Sequence, residues 1–202
     1  MPTFKDKKQQ IRHDLKQTIL QHASTIIQKH GIRQFSMRKL ALELECSPAT
    51  IYLYFNNKEE ILNQLVESAF EELSHRLKTI DFQEDQPLAY LKHILRAYID
   101  FGLEQHDHYQ FAFMTSRTKP NQPLQPHEAF HILVNAVKTC VEAGIFISTD
   151  IKMVSQSIWA CIHGITSLFI VLPNFPWSEK EKLIQHHIDI LVDGNLKSLK
   201  RK

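Results

Sequence analysis

An all-α protein of about nine helices, in two parts, is the fold class predicted by three features of the sequence. Apolar residues recur at three- and four-residue spacing along most of the chain, the repeat of a helix that buries one stripe. Glycine occurs only five times in 202 residues, too rarely for a succession of tight strand-joining turns. Helix-opening and helix-closing signals punctuate the apolar runs at helix-length intervals. The expected division is a three-helix unit over residues 1–57 and a larger helical unit over 58–202.

The elements follow in order. From about Lys7 to His30, Ile11, Leu15, Ile19, Ala23 and Ile26 make one apolar face, and Gly31 supplies the stop. Ser36 is an N-cap for a short helix to about Glu43 that turns Met37, Leu40 and Ala41 inward. The link Leu44 to Ser47 leads to Ser47-Pro48, a cap followed by proline at the first helical position, where its missing N–H costs nothing. This third helix ends near Tyr54, and Asn56-Asn57 caps a long helix from Lys58 to about Ile80.

Beyond it, Pro87 to about Gln105 carries Leu88, Leu91, Leu95, Tyr98 and Ile99 at helical spacing. A short aromatic helix is expected over Tyr109 to Thr115, a proline loop over Pro120 to Pro126, and a helix from Pro126 to Ala143 stopped by Gly144. Asp150 to Leu172 reads as a long helix apolar on two faces: Ile158, Cys161, Ile165, Leu168 and Leu172 on one, Trp159, Ile162, Thr166 and Phe169 on the other. Gly164 within it predicts close backbone packing, since glycine in a helix costs about 1 kcal/mol relative to alanine. After a turn at Pro173 to Trp177, Ser178-Glu179-Lys180-Glu181 reads as a capping box opening a last helix to about Val192. No strand is expected.

Composition narrows the function classes. The N-terminal residues lack an apolar core with a small-residue cleavage site, which argues against secretion. The apolar stretch Ile158 to Leu172 is interrupted by His163, Thr166 and Ser167, so no membrane partner is expected, and the predicted location is cytoplasmic. Cys46, Cys140 and Cys161 are widely spaced at apolar positions and read as buried thiols rather than a disulfide framework or zinc motif. Twelve histidines invite a metal reading, but His106 and His108 with Asp107, or His186 with His187, lack the i, i+4 spacing of paired helical ligands. Neither a metal nor a cofactor is expected. Residues 1–60 carry ten Lys/Arg against six Asp/Glu, and the remainder fourteen against sixteen. A basic front and mildly acidic back suit a protein whose first part alone meets a polyanion.

The segment from Phe35 to Leu62 carries the functional signal. Two short helices joined by a tight link form a helix-turn-helix, in which the first helix braces the second and the second enters the DNA major groove. Leu40, Ala41, Cys46 and Ile51 are the locking positions, and Phe55 is assigned to the core. Ser36-Met37-Arg38-Lys39-Leu40-Ala41, Cys46-Ser47-Pro48-Ala49-Thr50-Ile51-Tyr52-Leu53-Tyr54-Phe55 and Asn57-Lys58-Glu59-Glu60-Ile61-Leu62 together resemble the TetR/AcrR family of transcription regulators. The close match covers about 50 residues by the family's motif spacing, and Trp159 with His163-Gly164 resembles one branch of its ligand domains.

The resemblance implies a ligand-responsive repressor acting as a homodimer on a palindromic operator. It implies DNA-binding roles for Ser36, Arg38, Lys39, Ser47, Pro48, Ala49, Thr50, Tyr52, Tyr54 and Lys58. Hydroxyls and an ammonium beside helix N–H groups suit phosphate oxygens, and the Arg38 fork suits guanine O6 and N7. Lys5, Lys7, Lys8 and Arg12 would steer the approach or follow a groove, although a charge run such as Lys5 to Lys8 is more often a solvated tail. Tyr98, Phe101, Phe113, Trp159 and His163 are the expected lining of a pocket for a small apolar or aromatic effector, and the last two helices form the expected dimer contact.

Two departures from the family pattern bear on this. Glu45 stands where the link usually has glycine, and His106-Asp107 where a proline is usual. The alternatives are a helical protein-interaction module that has lost DNA binding, supported by Glu45 and the bland Pro48-Ala49 pair, and an enzyme. For the enzyme no nucleophile–base–orienter constellation is visible.

Overall fold

A computed structural model of the chain describes residues 4–114, 126–147 and 150–196. The expected loop before Pro126 and the basic segment Lys197 to Lys202 lie outside these residues, as does the Lys5 side chain. Among the described residues are nine α-helices: α1 Phe4–His30, α2 Met37–Glu43, α3 Pro48–Tyr52, α4 Lys58–Lys78, α5 Pro87–Glu104, α6 His106–Tyr109, α7 Glu128–Glu142, α8 Ile151–Val171 and α9 Lys180–Asp193. A 3-10 turn spans Ile32–Gln34, and a π-type turn, Gln110–Met114, continues α6. Extended pairing among these residues is limited to one isolated bridge between Phe146 and Leu196.

Two helices open differently from expectation. The short aromatic helix starts at His106 rather than Tyr109, because the Tyr109 N–H already donates to the Gln105 carbonyl at 2.9 Å. In α9 the cap is Glu179, whose side chain makes no capping bond and instead pairs with Lys182 at 2.6 Å. Ser178 is therefore not the cap.

The chain divides into two compact units, Met1–Ala69 with Gln110–Met114, and Phe70–Tyr109 with Thr115–Lys202. The division falls within α4 rather than before it. In the first unit Ala23 and Ile26 of α1, Leu40 of α2, Ile51 of α3 and Ile61 of α4 are at most 2 % exposed. Phe35 and Phe55 close the same core.

In the second unit α5 packs against α7, α8 and α9. A Cβ at Gly102 of α5 would collide with Thr166 Cγ2 of α8 and lie 2.8 Å from Tyr109 Cδ2. Glycine is required there by proximity, not by conformation. Lys92 pairs with Asp189 at 2.6 Å and Arg96 with Glu181 at 2.7 Å, joining α5 to α9. Such partly exposed pairs each contribute up to about 1 kcal/mol.

Helix α8 is long and apolar enough to cross a membrane by length and composition, contrary to expectation, yet Ser155, Ile158, Ile162, Ile165, Thr166 and Phe169 are buried. Packing against α5, α7 and α9 covers that face. The two expected stripes are corrected accordingly. The buried face mixes members of both, while Cys161, Leu168 and Leu172 face outward with Trp159. On a 3.6-residue helix adjacent i, i+4 rows merge into one broad face.

Candidate nucleic-acid interface and effector site

The turn between α2 and α3 is a Schellman closure. Cys46 N–H donates to the Ala41 carbonyl at 2.9 Å and Glu45 N–H to the Leu42 carbonyl at 3.1 Å. Glu45 occupies the left-handed position, with φ 50°. The same closure ends α7, where Gly144 takes that position at φ 70°. A non-glycine residue there costs about 1–2 kcal/mol, but both closing bonds are kept, so Glu45 leaves the turn intact and no longer favours a degenerate motif.

Ser47 opens α3 by accepting from the Thr50 N–H at 3.2 Å, and its hydroxyl lies 3.0 Å from Thr50 Oγ1. Ser36 caps α2 in the same way, accepting from Lys39 N–H at 3.2 Å. Ser36, Arg38, Ser47, Pro48, Ala49, Thr50 and Tyr52 are exposed, while Lys39 and Tyr54 are half-buried. Of the expected locking residues Leu40, Ala41 and Ile51 are buried, whereas Cys46 is only half-buried. Helix α3 carries no charged side chain. It presents hydroxyls, a phenol and small apolar groups, and Leu53, 70 % exposed just after it, was not singled out by the sequence pattern.

Lys58 sits differently from a free phosphate ligand. Its ammonium donates to the carbonyls of Ile32 at 2.9 Å and Phe35 at 2.7 Å and lies over the Phe35 ring. Two of its three donors are thereby engaged within the unit. Asn57 Oδ1 accepts from the Glu60 N–H at 2.8 Å, and the Glu60 carboxylate accepts from both the main-chain and side-chain N–H of Asn56. A carboxylate thus already occupies the opening of α4, where the sequence suggested phosphate. The spacing of Asn57 and Glu60, three residues apart, was the available signal for this cap.

In the second unit the sequence-selected Tyr98, Trp159 and His163 come together with Tyr109, which was not selected. Trp159 Nε1 donates to Tyr98 Oη at 3.3 Å, Tyr98 Oη lies 3.2 Å from Tyr109 Oη, and Tyr109 Oη lies 2.5 Å from His163 Nδ1. Indole can only donate, so the Tyr98 oxygen accepts from Trp159, and Tyr98 Oη also lies 3.4 Å from His163 Nδ1. Burial favours neutral His163 by lowering its pKa, and burial raises both Tyr98 and Tyr109. Phe130 meets Trp159 edge-on at 5.6 Å. Phe101 is fully buried. Phe113 is half-buried in the stretch that groups with the first unit. Tyr109 follows α5 closely, after Gln105 and the short α6, but its partner His163 lies 54 residues further on, a pairing that no periodicity encodes.

Other expectations change. Cys140 is buried, and burial raises its thiol pKa to about 11, but Cys46 is half-buried and Cys161 exposed. A Cβ at Gly164 would meet nothing within 4 Å, so close packing within the chain does not explain that glycine. His108 pairs with Glu72 at 2.6 Å, and His187 lies against the Cys161 carbonyl. Among the described residues no group of three or more His, Cys, Asp or Glu could hold a metal.

A Schellman-closed helix pair with an exposed second helix, followed by an all-α unit, defines the class of helix-turn-helix transcription regulators. The profile of bacterial regulatory proteins of the tetR family matches residues 19–65, and that of the tetracyclin repressor-like C-terminal domain matches residues 91–191. The chain belongs to the TetR family of DNA-binding regulators. It is 37 % identical over 78 residues to an uncharacterized HTH-type transcriptional regulator of Haemophilus influenzae, over 39 % of this chain and 41 % of that one. The chain thus matches less than half the length of this curated relative. Its fold is similar to a protein of unknown function from Rhodococcus sp. RHA1, with TM-score 0.76, 21 % identity, and 91 % and 96 % of the two chains covered. It is also similar to the TetR family regulator PfmR of Thermus thermophilus, with TM-score 0.67, 19 % identity, and 87 % and 97 % covered.

Proposed function

We propose that the chain is a cytoplasmic, effector-responsive repressor that binds a near-palindromic operator as a homodimer. The observation that carries this reading is α3: a short helix with a Ser-Pro opening, fixed by a closed turn and exposing Ser47, Pro48, Ala49, Thr50 and Tyr52. Two such helices would enter successive major grooves roughly 34–36 Å apart. Thr50, Tyr52, Tyr54 and Ser36 hold phosphates, Arg38 reads a base edge, and Pro48 and Ala49 touch thymine methyls or follow groove shape. Lys39 approaches the backbone, and Lys58 supports the fold of the head while offering its remaining donor to phosphate.

Dimerisation engages the outward faces of α8 and α9. Met153, Leu168, Val171 and Leu172 there, with Ile190, are all more than one-third exposed. An apolar face of this extent is uncommon on a monomer, and Gly164, with open space over its Cα, lets a second helix approach. The Tyr98–Tyr109–His163–Trp159 cluster borders the effector site, which suits an apolar or aromatic molecule with one hydrogen-bonding group. Helix α4 is continuous between the effector unit and the DNA head, so the ligand acts by its differential affinity for two settings of that helix. No catalytic role is assigned.

The test is binding of the protein to DNA flanking its own gene across a salt series, with Tyr52→Phe and Thr50→Ala alongside. Tight, salt-sensitive binding by two or four chains per site, weakened in both variants, is expected. Binding equal to that on random sequence, in a genome-wide fragment selection as well, would overturn the reading.

A further inference from the structure

We propose that the proton is a second effector of this chain, acting on His108 and His127, two imidazoles that fasten the last turns of α4 and hold them more firmly when charged. The proposal rests on the DNA-binding reading, because α4 runs on from the helix-turn-helix, and it adds a regulator that needs no pocket. Side chains do most of the fastening. Among the described residues, α4 packs less closely on the second unit than α5, α7 and α8 pack on one another. Polar links instead join its residues 72–78 to α5, α6 and the start of α7.

Two of these links keep their charge throughout the neutral range. Arg76 pairs with Glu104 of α5 at 2.8 Å, and Lys78 with Glu128 of α7 at 2.7 Å. The other two depend on imidazole, the side chain whose charge ordinarily changes between about pH 5 and 8. Nδ1 of His108, in α6, lies 2.6 Å from the Glu72 carboxylate. A carboxylate only accepts, so the ring donates, and charging the ring turns this hydrogen bond into an ion pair.

At His127 two partners compete for one nitrogen. Nδ1 lies 3.3 Å from Ser74 Oγ of α4 and 3.5 Å from the main-chain nitrogen of Ala129 in its own helix. Ser74 is buried and donates its single proton to the Phe70 carbonyl at 2.8 Å, so towards the ring it only accepts. Holding Ser74 needs a proton on Nδ1, whereas capping Ala129 needs that nitrogen bare. A neutral imidazole can serve either partner. An imidazolium has protons on both nitrogens and serves Ser74 alone. The ring also stacks on Phe70, with centroids 4.7 Å apart and 25° between planes, where a cation is attracted by the aromatic face. Acid thus moves His127 from capping α7 to holding α4.

The charges on the segments that carry or face the two rings agree with this. From α4 come Glu72, His75, Arg76 and Lys78, and from α5 Glu104. His106 and Asp107 flank His108, and Glu128 and His131 follow His127. Arg76 and Lys78 each have their own carboxylate, which leaves Glu72 to His108. The Glu128 carboxyl is drawn below its usual range by Lys78 first, with His127 and His131 adding to the effect. Both histidines therefore respond with one sign, opposite to that of His163, whose burial favours the neutral ring.

The experiment follows amide hydrogen exchange in residues 70–78 of the full chain, and binding to the DNA flanking its own gene, at about pH 7.5 and about pH 5.5. Wild type is compared at each pH with His108→Gln/His127→Asn, which keeps hydrogen-bonding groups but takes up no charge. Glu72→Gln removes one anion and leaves both histidines, and His75→Gln removes an exposed histidine of the same helix. Comparison at equal pH cancels the intrinsic pH dependence of exchange and the response of His163. Protection in wild type relative to the double variant should rise about fivefold on acidification, the gain of part-exposed charged links. DNA affinity relative to the double variant should change by a similar factor, about fivefold, because a proton that favours one setting of α4 alters any affinity coupled to that setting. Glu72→Gln should lose part of both responses, and His75→Gln should follow wild type. Equal pH dependence of wild type and double variant, in protection or in affinity, would overturn the proposal and leave the DNA-binding reading standing. Wild type that binds the DNA at neither pH would overturn both.

Discussion

Gly102 of α5 lies so close to the Thr166 side chain of α8 that a single added methyl has no room. This contact sets how nearly the two helices approach beside the Tyr98–Tyr109–His163 chain. Gly102→Ala should therefore destabilise the protein, although alanine is ordinarily the better helix former. Overpacking of this kind costs about 1–3 kcal/mol. Thermal unfolding should report a lower midpoint, with partial recovery in Gly102→Ala/Thr166→Ser, which removes the colliding methyl and keeps the hydroxyl that donates to Ile162. An unchanged midpoint in the single variant would contradict the close crossing.

Glu45 should be replaceable with gain. Its φ of 50° suits glycine, so Glu45→Gly removes strain of about 1–2 kcal/mol, partly offset by the greater freedom of glycine in the unfolded chain. Denaturant titration should place the midpoint higher for Glu45→Gly and lower for Glu45→Val. The opposite order would mean that the turn is not left-handed at this residue.

Lys58 and Thr50 should separate stability from DNA affinity. Lys58→Met leaves two carbonyls without their charged donor, and hydrogen bonds to charged groups contribute about 1.5–3 kcal/mol. That variant should unfold earlier even without DNA. Thr50→Ala, at an exposed position, should keep nearly the wild-type unfolding curve and weaken operator binding. Equal stability for Lys58→Met and wild type would restore Lys58 to a purely DNA-facing role.

The relay to His163 gives a pH dependence of defined sign. Burial lowers the folded pKa of this imidazole, so the unfolded chain binds the proton more readily. The stabilisation is complete above the unfolded value, about 6.5, and is lost as pH falls from there through the folded value. The difference in unfolding free energy between wild type and His163→Asn should shrink from pH 7.5 to pH 5. A difference constant across that range would show that His163 is not held neutral.

Much of the head was legible in the sequence because its determinants are local. Ser36, Ser47-Pro48 and Asn57 each act within three or four residues of themselves, and the helices they open begin where those residues stand. Long-range partners were not legible. Lys58 meets carbonyls 26 and 23 residues away, and Tyr109 meets His163 across 54 residues; no periodicity links such positions. Helix α8 was misread in a third way. Its composition is apolar nearly all round, so the pattern could not tell the face packed on α5 from the face left outside.

The absence of formal charge on α3 has a kinetic consequence. On the proposed function, attraction to any duplex, which releases counterions and supports sliding, comes from cations outside α3, among them Arg38, Lys39, Lys58 and the basic residues of α1. On that proposal, α3 itself gains from a duplex only when its hydroxyls and methyls find matching surfaces. Search and reading are thereby assigned to different residues, so a protein held by its periphery on the wrong sequence has little to detain it there.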